Sequence, residues 1–206
     1  MPKLALFDMD GTLFDHDGQL RSDLAKLVAP EEEINIDLIY TSDLWELADA
    51  HPYIDARIEL IRSQPYWWLR LPRLRLGWHL FYMAKNAGFC CKILTKGPRS
   101  KPLAWSEKVQ CIQEHFGEDV PIDIVGKDKA GTYGRILVDD YPKYMLGWLD
   151  HRPRGLGIMP AQPCNQGFEH PNVIIYDGNN SEQVSKAIEA AFNRDSKQHW
   201  KDLMGG

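Results

Sequence analysis

At 206 residues, 44% of them hydrophobic, the chain is long enough for one domain with its own core and room for one insertion. A net charge of −5 gives no electrostatic case for wrapping nucleic acid or lying on an anionic membrane, so a phosphorylated ligand would need a local basic pocket. No apolar stretch matches a membrane span, Asp8 and Asp10 interrupt the first apolar run too early for a secretory leader, and the four cysteines, with no Cys-x-x-Cys pair, read as reduced thiols of a cytoplasmic protein.

Residues 3–7 (Lys-Leu-Ala-Leu-Phe) predict a short buried strand, stopped by Asp8-Met9-Asp10-Gly11-Thr12. In an open α/β sheet, reactive groups collect just past the carboxyl ends of the strands. The period of two sends Asp8 and Asp10 to one side and Met9 to the other. Two carboxylates held together repel unless a hard divalent cation binds or one acid keeps a proton. The pair suits phosphoryl transfer: one ionised carboxylate attacks phosphorus while the other protonates the leaving oxygen.

Asp15–Gly18 reads as a turn, and residues 19–29 as a helix stopped before Pro30. Residues 31–70 read as a small, mainly helical insertion, with segments at Asp43–Ala50 and Pro52–Arg62. It leaves through Tyr66-Trp67-Trp68, aromatics that either pack insertion against core or wall a pocket in which a flat base stacks. A helix over 73–87 leads to a buried strand at Phe89–Leu94, with Thr95 at its tip and Lys96 and Arg99 just beyond. A hydroxyl and backbone N–H groups placed there can hold phosphate oxygens.

A helix over 103–116 precedes a strand at Pro121–Val125 and a turn carrying two lysines, Lys127 and Lys129. The strand Arg135–Val138 ends in the acid pair Asp139-Asp140, one able to face a metal while the other orients ligands or water. A helix over Tyr141–Leu149, strands at Gly155–Met159 and Val173–Tyr176, and a helix over Ser181–Phe192 with Ser181 as its N-cap complete the pattern. The tail from Asp195 is polar and expected to fray.

Phe7-Asp8-Met9-Asp10-Gly11-Thr12-Leu13 resembles motif I of the haloacid dehalogenase (HAD) superfamily of aspartate-nucleophile phosphatases. Thr95, Lys129 and Asp139-Asp140 resemble motifs II, III and IV, in order. The resemblance implies an α/β fold: a Rossmann-like parallel sheet flanked by helices, with residues 1–16 and 73–206 as the core and 17–72 as a helical cap. It implies Mg²⁺ bound by Asp8, the Asp10 carbonyl and Asp139, with Asp140 supporting from behind. Asp8 would be the nucleophile, Asp10 the acid and base, and Thr95, Lys129 and Arg99 the phosphoryl clamp.

Within the superfamily, residues 65–76, Trp105–Gln110 and Asp128-Lys129 resemble the 5′(3′)-deoxyribonucleotidases. That implies a 5′-nucleotidase hydrolysing nucleoside monophosphates, with Lys96, His16, Trp67 and Trp68 around the substrate, and a homodimer as partner state. The chain departs from the family at Lys96-Gly97, where the family has Ser-Pro, and at Arg99, where it has lysine; residues 17–60 match poorly. Other small phosphate esters, polynucleotide 3′-ends and a non-catalytic binding role stay open as alternatives.

Overall fold

A computed structural model describes residues 2–29, 34–98 and 100–204. Strands β1 (Leu4–Phe7), β2 (Cys90–Lys96), β3 (Ile122–Val125), β4 (Ile136–Val138), β5 (Leu156–Pro160) and β6 (Val173–Tyr176) form one parallel sheet in the order β3-β2-β1-β4-β5-β6. Their near-continuous apolar runs suit burial on both faces: Ala5, Leu6, Phe7 and Ile136–Val138 are all buried. The strand order reverses direction at β1 and β4, which places a crevice between their carboxyl ends. Phe7 is level with Ile93 and Val138. Asp8 and Asp139 therefore leave the sheet at the same height, with Thr95 one residue further along.

Between β1 and β2 run α1 (His16–Ala25), α2 (Ile36–Thr41), α3 (Leu44–Ala50), α4 (Pro52–Arg62) and α5 (Arg75–Asn86). The first four pack together, α1 on α2 and α4, and α3 on α4. Leu20, Leu24, Ile39, Ile54 and Ile58 supply their apolar stripe, and the buried cluster continues unbroken to Phe7 on the sheet. Asn35 and Asp43 cap α2 and α3, accepting the Leu38 N–H at 3.0 Å and the Trp45 and Glu46 N–H groups at 2.8 and 3.0 Å. The first helix starts earlier than the apolar spacing predicts, because the Asp15 carboxylate caps it by accepting the Gly18 N–H at 2.9 Å, and it ends at Ala25.

On the returning side, α5 lies against the loop after β1. A Cβ at Gly77 would stand 1.8 Å from the Thr12 carbonyl oxygen, so only glycine allows this approach. The Leu74 N–H and the Trp78 indole both donate to the Leu13 carbonyl, at 2.9 and 3.0 Å. Helices α6 (Pro102–Phe116), α7 (Pro142–Asp150) and α8 (Ser181–Asn193) complete the layers.

Two further expectations need correction. Ser181 is the first helical residue of α8, not its cap; Asn180 takes that place, and its amide donates to the Ile175 carbonyl at 2.8 Å instead of capping. The tail does not simply fray either. Trp200 opens a 3-10 turn to Leu203, is buried, and donates its indole N–H to the Gly155 carbonyl at 3.3 Å.

Candidate active site

Four carboxylates and two ammonium groups meet at the carboxyl ends of β1, β2 and β4. The loop after β1 turns back on itself: the Leu13 and Phe14 N–H groups both donate to the Met9 carbonyl at 2.9 Å, and the Gly11 N–H to Phe14 at 2.8 Å. Met9 is buried in the core. Lys129 lies between strands, its Nζ 2.6 Å from Asp8 Oδ1 and 2.6 Å from Asp139 Oδ2. Burial disfavours its charge, but Asp139 and Asp8 outweigh burial and raise its pKa. Lys127, the other lysine of that turn, is exposed.

The two acids of β4 have different partners. Asp139 is fully committed to the protein, with Oδ2 on Lys129 and Oδ1 accepting the Tyr141 N–H at 2.9 Å. Asp140 is held from one side, accepting the Thr12 hydroxyl on Oδ1 at 3.0 Å while its own N–H donates to Thr12 Oγ1 at 3.1 Å. Its Oδ2 faces the Cys164 thiol at 3.5 Å, a weak partner. The Asn165 amide donates to the Asp140 carbonyl at 3.0 Å, and the Gln162 amide to the Gly11 carbonyl at 3.1 Å, so the segment after β5 braces both sides.

Asp8, Asp139 and Asp140 present carboxylate oxygens within 4.8 Å of one another. Burial lifts the Asp8 pKa well above the ordinary carboxylate value; Lys129 opposes this, and Asp139, Asp140 and Asp10 add to the rise. Burial and Asp139 push Asp140 up to about 7, against the Thr12 hydroxyl. This excess of buried negative charge over two lysines, presented through oxygen ligands, is the environment a hard divalent cation fits. The cluster holds the two implied carboxylate ligands, Asp8 and Asp139, and adds Asp140, while the Asp10 carboxylate is turned to a lysine.

That lysine is Lys108 on α6, and sequence reasoning missed it as a site residue. It is fully buried and donates to Asp10 Oδ2, to Thr95 Oγ1 at 3.0 Å and to the Lys96 carbonyl at 3.0 Å. Burial alone would raise the Asp10 pKa, but Lys108, with His16 and Lys129 adding to it, holds Asp10 below the ordinary range. A signal was present: Lys108 falls four residues after Ala104 and four before Ile112, on the buried stripe of α6.

The aromatic exit is a packed cluster rather than an open wall. Trp67 and Trp68 are 6% and 1% exposed, set edge-on to each other with centroids 4.9 Å apart. Their indoles donate to Asp23 at 2.9 Å and to the Arg62 carbonyl at 3.2 Å. His16 packs against both rings at 5.3 and 5.2 Å, and burial lowers its pKa to about 4, so it is neutral. The expected stacking faces are therefore occupied by protein. The Lys96 side chain is exposed, and Arg99 lies outside the described residues.

No family model and no curated protein matches the chain. Solved structures do. One is a HAD family hydrolase from Deinococcus radiodurans R1 with bound phosphate and sodium, 15% identical, with a TM-score of 0.54 over 82% of this chain and 84% of that one. Another is a HAD hydrolase, family IA, variant 3, from Entamoeba histolytica, 17% identical, with a TM-score of 0.51 over the full length of both. This chain has the fold of the HAD hydrolases. At such identity the likeness speaks for the fold alone. Among the described residues, no helix is long and apolar enough to cross a membrane.

Proposed function

We propose that this protein is a divalent-metal-dependent phosphomonoesterase of small phosphate esters, with nucleoside 5′-monophosphates as the first class to test. The observation that carries the reading is Lys129 joined to both Asp8 and Asp139 at the switch point of the sheet. Asp8 Oδ2 remains for attack on phosphorus while Oδ1 is anchored. Lys129 and the Thr95 hydroxyl stand where the phosphoryl oxygens would gather charge. Asp8 and Asp140 would hold Mg²⁺, with Asp139 beside them, and the ion would supply positive charge to the phosphoryl group.

In the first step the Asp8 oxygen bonds to phosphorus as the ester P–O bond breaks, and the departing oxygen takes a proton from Asp10. In the second, water attacks phosphorus and gives its proton to Asp10, releasing phosphate and restoring Asp8. Asp10, held ionised with Lys108 beside it, is set up as the base of the second step and must gain a proton before the first.

The nucleotide part of the reading rests on the sequence resemblance. Burial of Trp67 and Trp68 favours a second reading, an ester lacking a base, such as a sugar phosphate. The test is phosphate release across nucleoside 5′- and 3′-monophosphates, sugar phosphates and p-nitrophenyl phosphate, with Mg²⁺ and with chelator. Release that needs Mg²⁺ and vanishes in Asp8→Asn is expected; an active Asp8→Asn protein would refute the nucleophile, and silence across the panel would leave a binding protein.

A further inference from the structure

We propose that Lys108 is a positioning residue for proton transfer by Asp10, and that Glu107 beside it ties this positioning to the seat of the cap exit; the proposal rests on the phosphomonoesterase reading. Lys108 lies on α6, away from the strand tips that carry the other site residues. An ammonium has three N–H donors. Three acceptors surround this one: Asp10 Oδ2, Thr95 Oγ1 and the Lys96 carbonyl. The Trp68 ring closes the remaining side, its centroid 4.6 Å from Nζ. With every donor committed, Lys108 cannot reach a substrate oxygen without breaking a bond. Its part is to hold.

What it holds is one oxygen of Asp10 and one of Thr95. Pinning Asp10 Oδ2 leaves Oδ1 buried with no hydrogen-bond partner among the described residues. A buried carboxylate oxygen without a donor is costly, and native structures keep few of them. The oxygen of a bound ester, or the water that follows it, is the group that would meet Oδ1. Thr95 accepts from Lys108, which leaves its own hydroxyl hydrogen to donate toward a phosphoryl oxygen.

Glu107, the preceding residue, is also buried and grips the cap exit. Its carboxylate accepts the Tyr66 N–H at 2.6 Å and the Trp68 N–H at 3.3 Å. Tyr66 sits at φ 65°, in the left-handed region that a non-glycine residue adopts only when its surroundings impose it. One short run of α6 thus clamps the strained cap exit with one side chain and sets Asp10 with the next. Movement of the exit would act on Asp10 through Trp68 and Lys108.

Proton transfer to the leaving oxygen matters most when that oxygen is a poor leaving group. In the first step the Asp8 oxygen–phosphorus bond forms, the ester bond breaks, its electron pair stays on the ester oxygen, and the Asp10 proton moves to that oxygen. A p-nitrophenolate departs with little need of the proton, while an alkoxide needs it fully. The experiment compares kcat/KM on an alkyl phosphate and on p-nitrophenyl phosphate, with Asp10→Asn as reference.

Lys108→Gln is expected to lower the alkyl value about tenfold or more and the aryl value by no more than about threefold. The Asp10→Asn/Lys108→Gln double variant is expected to be no slower on the alkyl ester than Asp10→Asn, because the two residues act as one unit. Equal losses on the two esters, or additive losses in the double variant, would overturn the proposal. Should Lys108→Gln fail to fold by circular dichroism, Glu107→Gln decides: a smaller loss confined to the alkyl ester supports the coupling, and parallel losses refute it. A wild-type protein that turned over neither ester would instead remove the phosphomonoesterase reading, and this proposal with it.

Discussion

Gly11 and Asp140 approach so closely that a Cβ on Gly11 would stand 2.4 Å from Asp140 Oδ2. The contact joins the loop after β1 to the tip of β4, the two strands that border the crevice. Gly11 also sits at φ 76°, where any side chain is strained. With Thr12 bonded to the same carboxylate on Oδ1, the loop dictates where Asp140 points.

Alanine at position 11 must therefore displace the Asp140 carboxylate. The left-handed backbone costs a side-chain-bearing residue about 1–2 kcal/mol, which lowers Tm by a few degrees at this chain length. A carboxylate shifted by about 1 Å is expected to cost roughly 100-fold in kcat/KM. Thermal unfolding together with Mg²⁺ titration of activity checks both. Unchanged Mg²⁺ activation in Gly11→Ala would detach Asp140 from the cation.

The two lysines of the turn before β4 separate cleanly. Removing the buried ammonium from between Asp8 and Asp139 leaves both carboxylates without their partner, so Lys129→Met is expected to lose about 100- to 1,000-fold in kcat. It is also expected to be destabilised by a few kcal/mol. Lys127 is exposed, and Lys127→Ala is expected to stay within about twofold of wild type. The opposite pattern would place the phosphate-neutralising charge on the wrong residue.

The paired acids of β4 give a second contrast. Asp139 has both oxygens bonded within the protein, whereas Asp140 keeps one oxygen with only a thiol nearby. Asp140→Asn is thus expected to raise the Mg²⁺ concentration for half-activation about 10- to 100-fold, a typical cost for a damaged metal environment. Asp139→Asn is expected to lower kcat mainly, because it releases Lys129. Equal shifts in Mg²⁺ dependence would merge the two roles.

The strand tips were legible in the sequence because each is an apolar run that ends at once in an unusual polar group, as at Phe7-Asp8, Leu94-Thr95 and Val138-Asp139. Burial on both faces makes such runs hard to mistake. Which acid of Asp139-Asp140 pairs with Lys129 was not legible, since it depends on the tertiary approach of Lys129 and the Tyr141 N–H. Glu107 and Lys108 were quoted only as part of a resemblance, because adjacent charges on a helix usually mark its solvated face. Their place beside Ala104, Cys111 and Ile112 was the missed clue. For the Trp67-Trp68 pair the sequence left packing and a pocket wall both open, because aromatics near prolines suit either; the indole N–H groups found Asp23 and the Arg62 carbonyl.

Trp67→Phe removes the hydrogen bond to Asp23 while keeping most of the packed ring. A loss of about 1 kcal/mol is expected in urea unfolding. Because the ring is buried, KM for a nucleoside monophosphate is expected to change no more than KM for p-nitrophenyl phosphate. A nucleotide-selective rise would restore Trp67 to the substrate pocket.

His16 supplies a pH signature for the fold. Burial against Trp67 and Trp68 lowers its pKa from an ordinary 6.5 to about 4, so the folded protein carries it neutral. The unfolded chain takes up the proton near pH 6.5 and the folded chain only near pH 4. Stability owed to this residue is complete above pH 6.5 and declines as pH falls through the interval between these values. At about pH 5 the decline amounts to about 2 kcal/mol. Asp8 and Asp140, whose pKa values are raised, act in the opposite sense over part of the same range, so the absolute curve of the wild type mixes the effects. His16→Gln keeps those acids and removes only the histidine. Urea unfolding of both proteins at about pH 7.5 and pH 5 is expected to show the variant gaining about 2 kcal/mol relative to wild type on acidification. Parallel pH dependence would mean that His16 can be protonated in the folded state, and that the packed aromatic cluster opens enough to solvate its charge.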